Sequence, residues 1–205
     1  METIRGRQPC EINGTELHQR LAGYQDILLD LGTGDGRFVC KIAEKHRDRF
    51  VIGLDSCREN LRVNSQRKLP NALFVITSAQ SLPRELNGLV SHVSINFPWS
   101  SLLESLLKDD ACLINGLLSV TRPCAGMEVP LNADALSTAG WALESGADQI
   151  ERILNAAGWK TTSRSCLNTP ILRSIPTTWA KRLAFGRDPR AIRLSLQREQ
   201  DVLVL

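Results

Sequence analysis

The 205-residue sequence has no apolar run near the roughly 20 residues that a membrane-crossing helix requires. Its opening stretch, METIRGRQPCEINGTE, has no apolar core of the secretory-signal type. Both absences lead us to expect a cytoplasmic protein with no membrane partner. Cysteine occurs at positions 10, 40, 57, 112, 124 and 166, yet no two form a C-x-x-C pair and no Cys/His cluster has zinc-ligand spacing. No metal is therefore expected. The thiols read as small buried hydrophobes kept reduced, with Cys40 and Cys112 in apolar helical stretches. There is no internal repeat and no low-complexity segment. The net charge of +3 is too small to indicate a partner. His18, His46 and His92 are the only histidines, and all lie outside the motifs below, so none is a candidate general base.

What is present fits one compact domain of ordinary composition. Ile27–Leu31 is a short apolar run ended by glycine, the pattern of a buried parallel strand. Helical spacing over Asp35–His46 follows, then a second strand, Phe50–Leu54, ending at Asp55. Arg58–Lys68 reads as a polar helix, Ala72–Ile76 as a third strand and Val90–Ile95 as a fourth. Pro98 is expected to begin a helix with Leu102, Leu103, Leu106 and Leu107 on its apolar face. Met127–Pro130 closes a fifth strand. Asp148–Ala157 is a helix stopped by Gly158, and Trp159–Cys166 and Ala191–Leu196 are the last strands. Strands alternating with helices predict an α/β fold with a mostly parallel, doubly wound, seven-stranded sheet and helices on both faces. We divide the single domain into an N-terminal extension (1–26), a cofactor-binding core (27–130) and a C-terminal part (131–205). Ligands of such sheets bind beyond the carboxyl ends of the strands.

At the first strand end stands Asp30-Leu31-Gly32-Thr33-Gly34-Asp35-Gly36-Arg37. Glycines at this spacing let backbone turn tightly against a ligand. The third glycine follows the second by two residues, whereas the dinucleotide pattern needs three. Asp30, just before the glycines, suits the cationic amino group of a methionine moiety better than a pyrophosphate. Asp55, at the next strand end, can accept both hydroxyls of a ribose. The loop Ser78-Ala79-Gln80-Ser81-Leu82-Pro83 follows the third strand and can supply a side chain to an adenine edge. Together these features point to S-adenosylmethionine.

Asn96-Phe97-Pro98-Trp99 follows the fourth strand, where a rigid corner can aim an aromatic ring into the pocket. Between Arg173 and Arg198 lie seven basic residues and one acid, Asp188. Trp179 sits inside that cluster. An aromatic among arginines suits nucleic acid, since stacking on such a ring is worth about 1–3 kcal/mol per base.

Taken together, the motifs resemble one family. Asp30 to Arg37, Gly53-Leu54-Asp55, Ser81-Leu82-Pro83, Phe97-Pro98-Trp99, Leu102-Leu103 and Trp179-Ala180-Lys181-Arg182-Leu183-Ala184-Phe185-Gly186-Arg187 are similar to the aminoglycoside-resistance methyltransferases that modify N1 of a decoding-site adenine in 16S rRNA. The similarity runs from about Ile27 to Arg193. It implies a class I methyltransferase fold, with S-adenosylmethionine as donor, S-adenosylhomocysteine as product and the 30S subunit as substrate for a monomeric enzyme. It implies cofactor contacts from Asp30, Gly32, Thr33, Gly34, Asp55, Ser56, Ala79, Gln80, Ser101 and Thr177. Trp99 and Trp179 are implied to sandwich the flipped adenine, with Phe97 and Pro98 in the same corner. Lys181, Arg182, Arg187, Arg190 and Arg193, with Arg62, Arg67 and Lys68, are implied to dock on rRNA.

The chain departs from that family at three positions. Gln80 stands where glutamate is usual, Asn96 where an apolar residue is usual, and Ser100 where glycine is usual. The stretches between the second and third strands, and between the fifth strand and the next helix, look short. Adenine N1 carries an in-plane lone pair and needs no general base, so catalysis should rest on positioning and electrostatics. Two alternatives stay open at this level. One is a different RNA base methyltransferase, because the Asn96–Trp99 corner distantly resembles those of amino-group and tRNA guanine-N7 enzymes. The other is a non-catalytic RNA-binding homologue with weakened cofactor binding.

Overall fold

The structure, a computed structural model, describes residues 1–200. The last five residues of the expected C-terminal part, 201–205, lie outside the described residues. Two short antiparallel strands open the chain, β1 (Glu2–Arg5) and β2 (Gln8–Glu11). Helix α1 (Gly14–Leu21) starts with a capping box, in which Asn13 Oδ1 accepts from the Glu16 amide and the Glu16 carboxylate accepts from the Asn13 amide. Then come β3 (Asp26–Leu31), α2 (Arg37–Lys45), β4 (Arg49–Asp55), α3 (Arg58–Ser65) and β5 (Ala72–Ile76). A 3-10 turn over Arg84–Leu86 leads to β6 (Val90–Ser94), α4 (Ser100–Leu107), α5 (Ala111–Val120) and β7 (Thr121–Asn132). The chain continues through α6 (Ala133–Thr138), α7 (Leu143–Ala156), β8 (Trp159–Leu167), α8 (Thr169–Ser174), α9 (Thr178–Phe185) and β9 (Ala191–Arg198).

All strands join one sheet in the order β2-β1-β5-β4-β3-β6-β7-β9-β8. The five central strands, β5 to β7 in that order, pair in parallel. β9 and β8 pair antiparallel at one side, and the β1–β2 hairpin does so at the other. The sheet therefore has nine strands and not seven. The two unexpected strands come from the segment read as an extension, where four-residue strands carry no usable alternation and β2 is exposed throughout.

Side-chain parity shows that the central strands are covered on both faces. Ile27, Leu29 and Leu31 enter one buried cluster with Ile52, Leu54 and Val75, while Leu28, Val51 and Phe74 enter another beneath α2 and α3. That is why these strands read as continuous apolar runs. Asn71 ties this second face together. Its buried amide nitrogen donates to the carbonyls of Ala43, His46 and Arg49 at 2.9, 3.0 and 2.9 Å.

Several boundaries differ from the sequence expectations. α2 begins at Arg37 and not at Asp35, because Gly36 sits at φ +71, a conformation no right-handed helix contains. A Cβ there would also lie 2.5 Å from the Phe74 ring. α4 begins at Ser100 and not at Pro98, since Phe97 at φ +50 and Ser100 at φ +51 break the backbone around the proline. α7 starts at Leu143, five residues before the expected Asp148, and α6 fills part of the stretch thought to be short. The thiols are also corrected. All six are free, but only Cys40 is buried, and Cys112 lies exposed on α5. Among the described residues, no helix is long and apolar enough to cross a membrane.

Candidate functional site

From the centre of the sheet, β3 leads through β4 to β5 on one side, and β6 then returns to the other side of β3. The carboxyl ends of β3 and β6 therefore flank a topological switch point, where open α/β sheets leave a crevice. A cavity of about 570 Å³ opens there. Ligand pockets span roughly 300–1,000 Å³, so a nucleoside-sized cofactor fits. Every residue implied for the cofactor lines it: Asp30, Gly32, Thr33, Gly34, Asp55, Ser56, Ala79, Gln80, Ser101 and Thr177. Phe97, Pro98, Trp99, Trp179 and Arg182 line it too. Asp35, Asn60, Asn96 and Thr178 are further lining residues that sequence reasoning did not place in the site.

The glycine loop is anchored to the neighbouring strand. The amides of Gly32 and Thr33 donate to the Leu54 carbonyl at 2.9 and 3.0 Å, and Gly34 N–H donates to Asp55 Oδ2 at 2.8 Å. Asp55 Oδ1 accepts from the Cys57 amide at 2.8 Å. Each oxygen keeps lone-pair capacity for a ribose hydroxyl. Nothing lies within 4 Å of where a Gly34 Cβ would stand, so the loop leaves open space for a ligand.

Asp30 is 1% exposed and makes no ion pair among the described residues. It accepts a short hydrogen bond from the Thr33 hydroxyl and another, at 2.9 Å, from Asn96 Nδ2. Burial pushes its carboxyl up to about 7, the two hydrogen bonds oppose that rise, and the charges of Asp55 and Asp35 add to it. A buried carboxylate held near neutrality fits a ligand that brings its own positive charge. Asn96, one of the three departures, thus belongs to the site. A polar residue between Ile95 and Phe97 in an apolar run was the signal for it.

Gln80 does not hang free. Its Nε2 donates to Ser105 Oγ at 2.8 Å. None of the three histidines lines the cavity. Among the described residues, no cluster of His, Cys, Asp and Glu could hold a metal.

The two tryptophans meet. Their ring centroids are 4.9 Å apart with planes at 23°, a direct stack. A base between them needs roughly 7 Å between the outer planes, twice the optimal carbon–carbon separation of about 3.5 Å. The ring pair implied to form a sandwich is therefore closed, with no room for a base between the rings. Its halves rest on different foundations. Trp99 packs on the main core, whereas Trp179 packs on a separate small core of Phe97, Leu167, Leu172, Ile175, Ala180, Leu183 and Ala191. Phe97 serves as the floor of that second core, so its ring is committed to packing. Thr177 caps α9 by accepting from the Ala180 amide at 2.9 Å, and Thr178 Oγ1 donates to Asp35 Oδ2 at 2.8 Å. The latter bond ties the helix bearing Trp179 to the glycine loop. Among the described residues, no acceptor meets the buried Trp99 Nε1.

The basic residues fall into two groups. The guanidinium carbons of Arg182 and Arg187 lie 5.2 and 5.1 Å from the Trp179 ring centre, and neither forms an ion pair among the described residues. Lys181 and Lys68 are exposed with no ion pair among the described residues. By contrast Arg62 pairs with Glu59 at 3.1 Å, Arg67 with Glu44, Arg190 with Asp188, and Arg193 with Glu128 at 3.2 Å.

The family model described as NpmA, 16S rRNA (adenine(1408)-N(1))-methyltransferase, matches residues 2–198. This chain is 31% identical over 213 residues to a 16S rRNA (adenine(1408)-N(1))-methyltransferase of Escherichia coli, covering 95% of this chain and 97% of that relative. The solved aminoglycoside resistance methyltransferase NpmB1 is 31% identical, with TM-score 0.79 over 96% of this chain and 98% of its own. A mutant 16S rRNA (adenine(1408)-N(1))-methyltransferase from Catenulisporales acidiphilia, solved with cosubstrate SAM, shares the fold at 22% identity, with TM-score 0.86 over 98% of both chains.

Proposed function

The chain belongs to the 16S rRNA (adenine(1408)-N(1))-methyltransferase family, and on that premise we propose how its residues carry out methyl transfer to N1 of the decoding-site adenine. It is an S-adenosylmethionine-dependent enzyme whose reaction gives aminoglycoside resistance. The observation that supports the residue roles best is the single cavity joining the two strand-end acids to the tryptophan stack.

Bound there, S-adenosylmethionine supplies an activated methyl group on a positively charged sulfur. Asp30 balances the cationic methionine end, Asp55 holds the ribose, and Gln80 faces the adenine. Gly32 and Gly34 keep the backbone low enough for close approach, with Thr33, Ser56, Ala79, Ser101 and Thr177 completing the wall. Trp99 and Trp179 part to receive the flipped rRNA adenine and hold its ring by stacking on both faces. Flipping costs a few kcal/mol, which two stacking contacts offset. The base gains positive charge as its N1 is methylated, and the negative faces of two indoles stabilise that charge. The target nitrogen carries no proton, so no residue need remove one before the methyl moves. Pro98 fixes the corner that aims Trp99.

Lys181, Arg182 and Arg187 lie beside the clamp and hold the phosphates that flank the flipped base. Lys68, Arg62, Arg67, Arg190 and Arg193 extend the docking surface on the 30S subunit, which a single copy of the chain engages.

Tritium transfer onto 30S subunits, with primer extension to map the modified nucleotide, tests this reading. Trp99→Ala and Trp179→Ala should each lower transfer by about fivefold to a hundredfold, the range set by one stacking contact. Calorimetry should show S-adenosylmethionine binding nearly unchanged in both. Full transfer activity in both variants would overturn the clamp, and a stop at another nucleotide would overturn the target. Expression in a susceptible bacterium should raise tolerance to kanamycin and apramycin.

A further inference from the structure

Gln80 lies in the loop after β5 and lines the cofactor cavity. Behind it runs a chain of hydrogen bonds that the methyl-transfer chemistry does not use. Gln80 Nε2 donates to Ser105 Oγ at 2.8 Å, and Ser105 Oγ donates to Asp110 Oδ2 at 2.8 Å. Ser105 is buried in α4 at 7% exposure. Asp110 is the N-cap of α5, and its other oxygen accepts from the amides of Cys112 and Leu113 at 3.0 and 3.4 Å.

Counting protons fixes the direction of this chain. An ionised carboxylate only accepts hydrogen bonds. The bond from Ser105 is the main cause holding the Asp110 carboxyl below its ordinary range, so Asp110 is ionised at neutral pH. A serine hydroxyl has one proton, and Ser105 gives it to Asp110. Towards Gln80 the hydroxyl can only accept. Gln80 must therefore turn its nitrogen to Ser105, which leaves Oε1 for the cavity. Among the described residues, no group donates to that oxygen.

We propose that Ser105 and Asp110 are positioning residues that fix Gln80 as a hydrogen-bond acceptor for the exocyclic amino group of the cofactor's adenine. The inference rests on the S-adenosylmethionine reading above. It also accounts for an amide at a position where the family resemblance leads one to expect glutamate. A carboxylate at position 80 would set a second acceptor against a hydroxyl with no proton left to give.

Titration calorimetry on the whole chain tests the proposal with two ligands, S-adenosylhomocysteine and S-inosylhomocysteine. The 6-oxo base of the second presents an acceptor where adenine presents a donor. The unmodified protein should prefer the adenine ligand by roughly tenfold or more, the cost of setting two acceptors face to face. Asp110→Asn retains an N-cap of similar quality, so α5 should stay folded. Its oxygen keeps the capping role and its amide nitrogen turns to Ser105. The Ser105 proton then points at residue 80 and turns Gln80 over. The preference should fall several-fold or reverse. Gln80→Glu should weaken S-adenosylhomocysteine binding, and adding Asp110→Asn should restore it, because Ser105 can then donate to Glu.

A merely structural role would weaken both ligands equally and give additive effects in the double variant. An unchanged preference in Asp110→Asn, or additivity, overturns the positioning role and leaves the cofactor reading standing. Failure of the unmodified protein to bind either ligand overturns the cofactor reading, and the inference with it.

Discussion

Asp30 is the residue whose chemistry is most altered by its surroundings. Its carboxyl titrates near 7 in the folded chain, against about 3.9 when unfolded. The folded state therefore binds the proton more tightly, and the stabilisation from that proton is complete below about pH 3.9. It is lost progressively as pH rises towards 7. A cationic ligand reverses the preference by favouring the ionised form. S-adenosylmethionine affinity should rise from pH 6 to pH 8 and flatten above the Asp30 titration, with release of up to one proton at pH 6. Calorimetry in two buffers of different ionisation enthalpy measures that release. Asp30→Asn should bind more weakly and show no such profile. An unchanged profile in that variant would remove Asp30 from the site. Ser100 offers a second prediction at this scale. It holds φ +51, where a side chain costs about 1–2 kcal/mol and glycine does not. That is the physical reason for the glycine usual at this position. Ser100→Gly should raise stability by about 1 kcal/mol, or roughly 2–4 °C in Tm for a chain of this size. Thermal unfolding followed by circular dichroism checks it.

At the scale of elements, the contrast is between what is local in the chain and what is not. β3, the glycine loop and β4 were legible because their constraints are local: apolar runs make buried strands, and tight turns demand glycine. The parity that splits Leu28 from Leu29 follows from the pleat alone. The hairpin was illegible because β1 gains its strand geometry by pairing with β5 and β2 by pairing with β1. The site shows the same division. Asp30 and Asp55 were readable, whereas the Thr178–Asp35 bond spans 143 residues and exists only once α9 has packed. The shut tryptophan stack was equally invisible, since no sequence pattern sets the gap between a ring in the corner before α4 and one on α9. The Trp99 indole N–H is buried and unpaired among the described residues, a cost of about 1–3 kcal/mol that an acceptor reached on opening would relieve. Two indoles this close should give an exciton couplet in the far-ultraviolet circular dichroism spectrum. The couplet should vanish in Trp179→Phe and collapse when an adenine-containing RNA fragment enters. A couplet that survives saturating RNA would mean that the base does not pass between the rings.

Across the whole molecule, the nine-stranded sheet sets the cavity at its centre, and the two rings of the proposed clamp line that cavity. Cations assigned to rRNA divide into those already paired with acids of the chain and those that are not. Exposed ion pairs are worth only about 0–1 kcal/mol, so Arg62, Arg67, Arg190 and Arg193 can exchange a carboxylate for a phosphate at little cost. Lys68 and Lys181 need no exchange. Affinity for 30S subunits should fall steeply with salt, each neutralised phosphate adding about 0.7–0.9 to the logarithmic slope. Lys181→Ala should reduce that slope by roughly 1 while leaving S-adenosylmethionine binding intact. A slope identical to that of the unmodified protein would take Lys181 off the interface.

The small core beneath α8 and α9 has a consequence for timing. Trp179, half of the proposed clamp, is mounted on seven buried residues that belong to neither large cluster. Such a unit can loosen as a body, at the low free energies typical of local opening, while β3 and β4 keep their grip on the methyl donor. On the proposed clamp, capture and release of the ribosome would be paced by that small body and not by the sheet. Substitutions at Leu172 or Leu183 would retune how long the enzyme dwells on each particle without touching an atom that reacts.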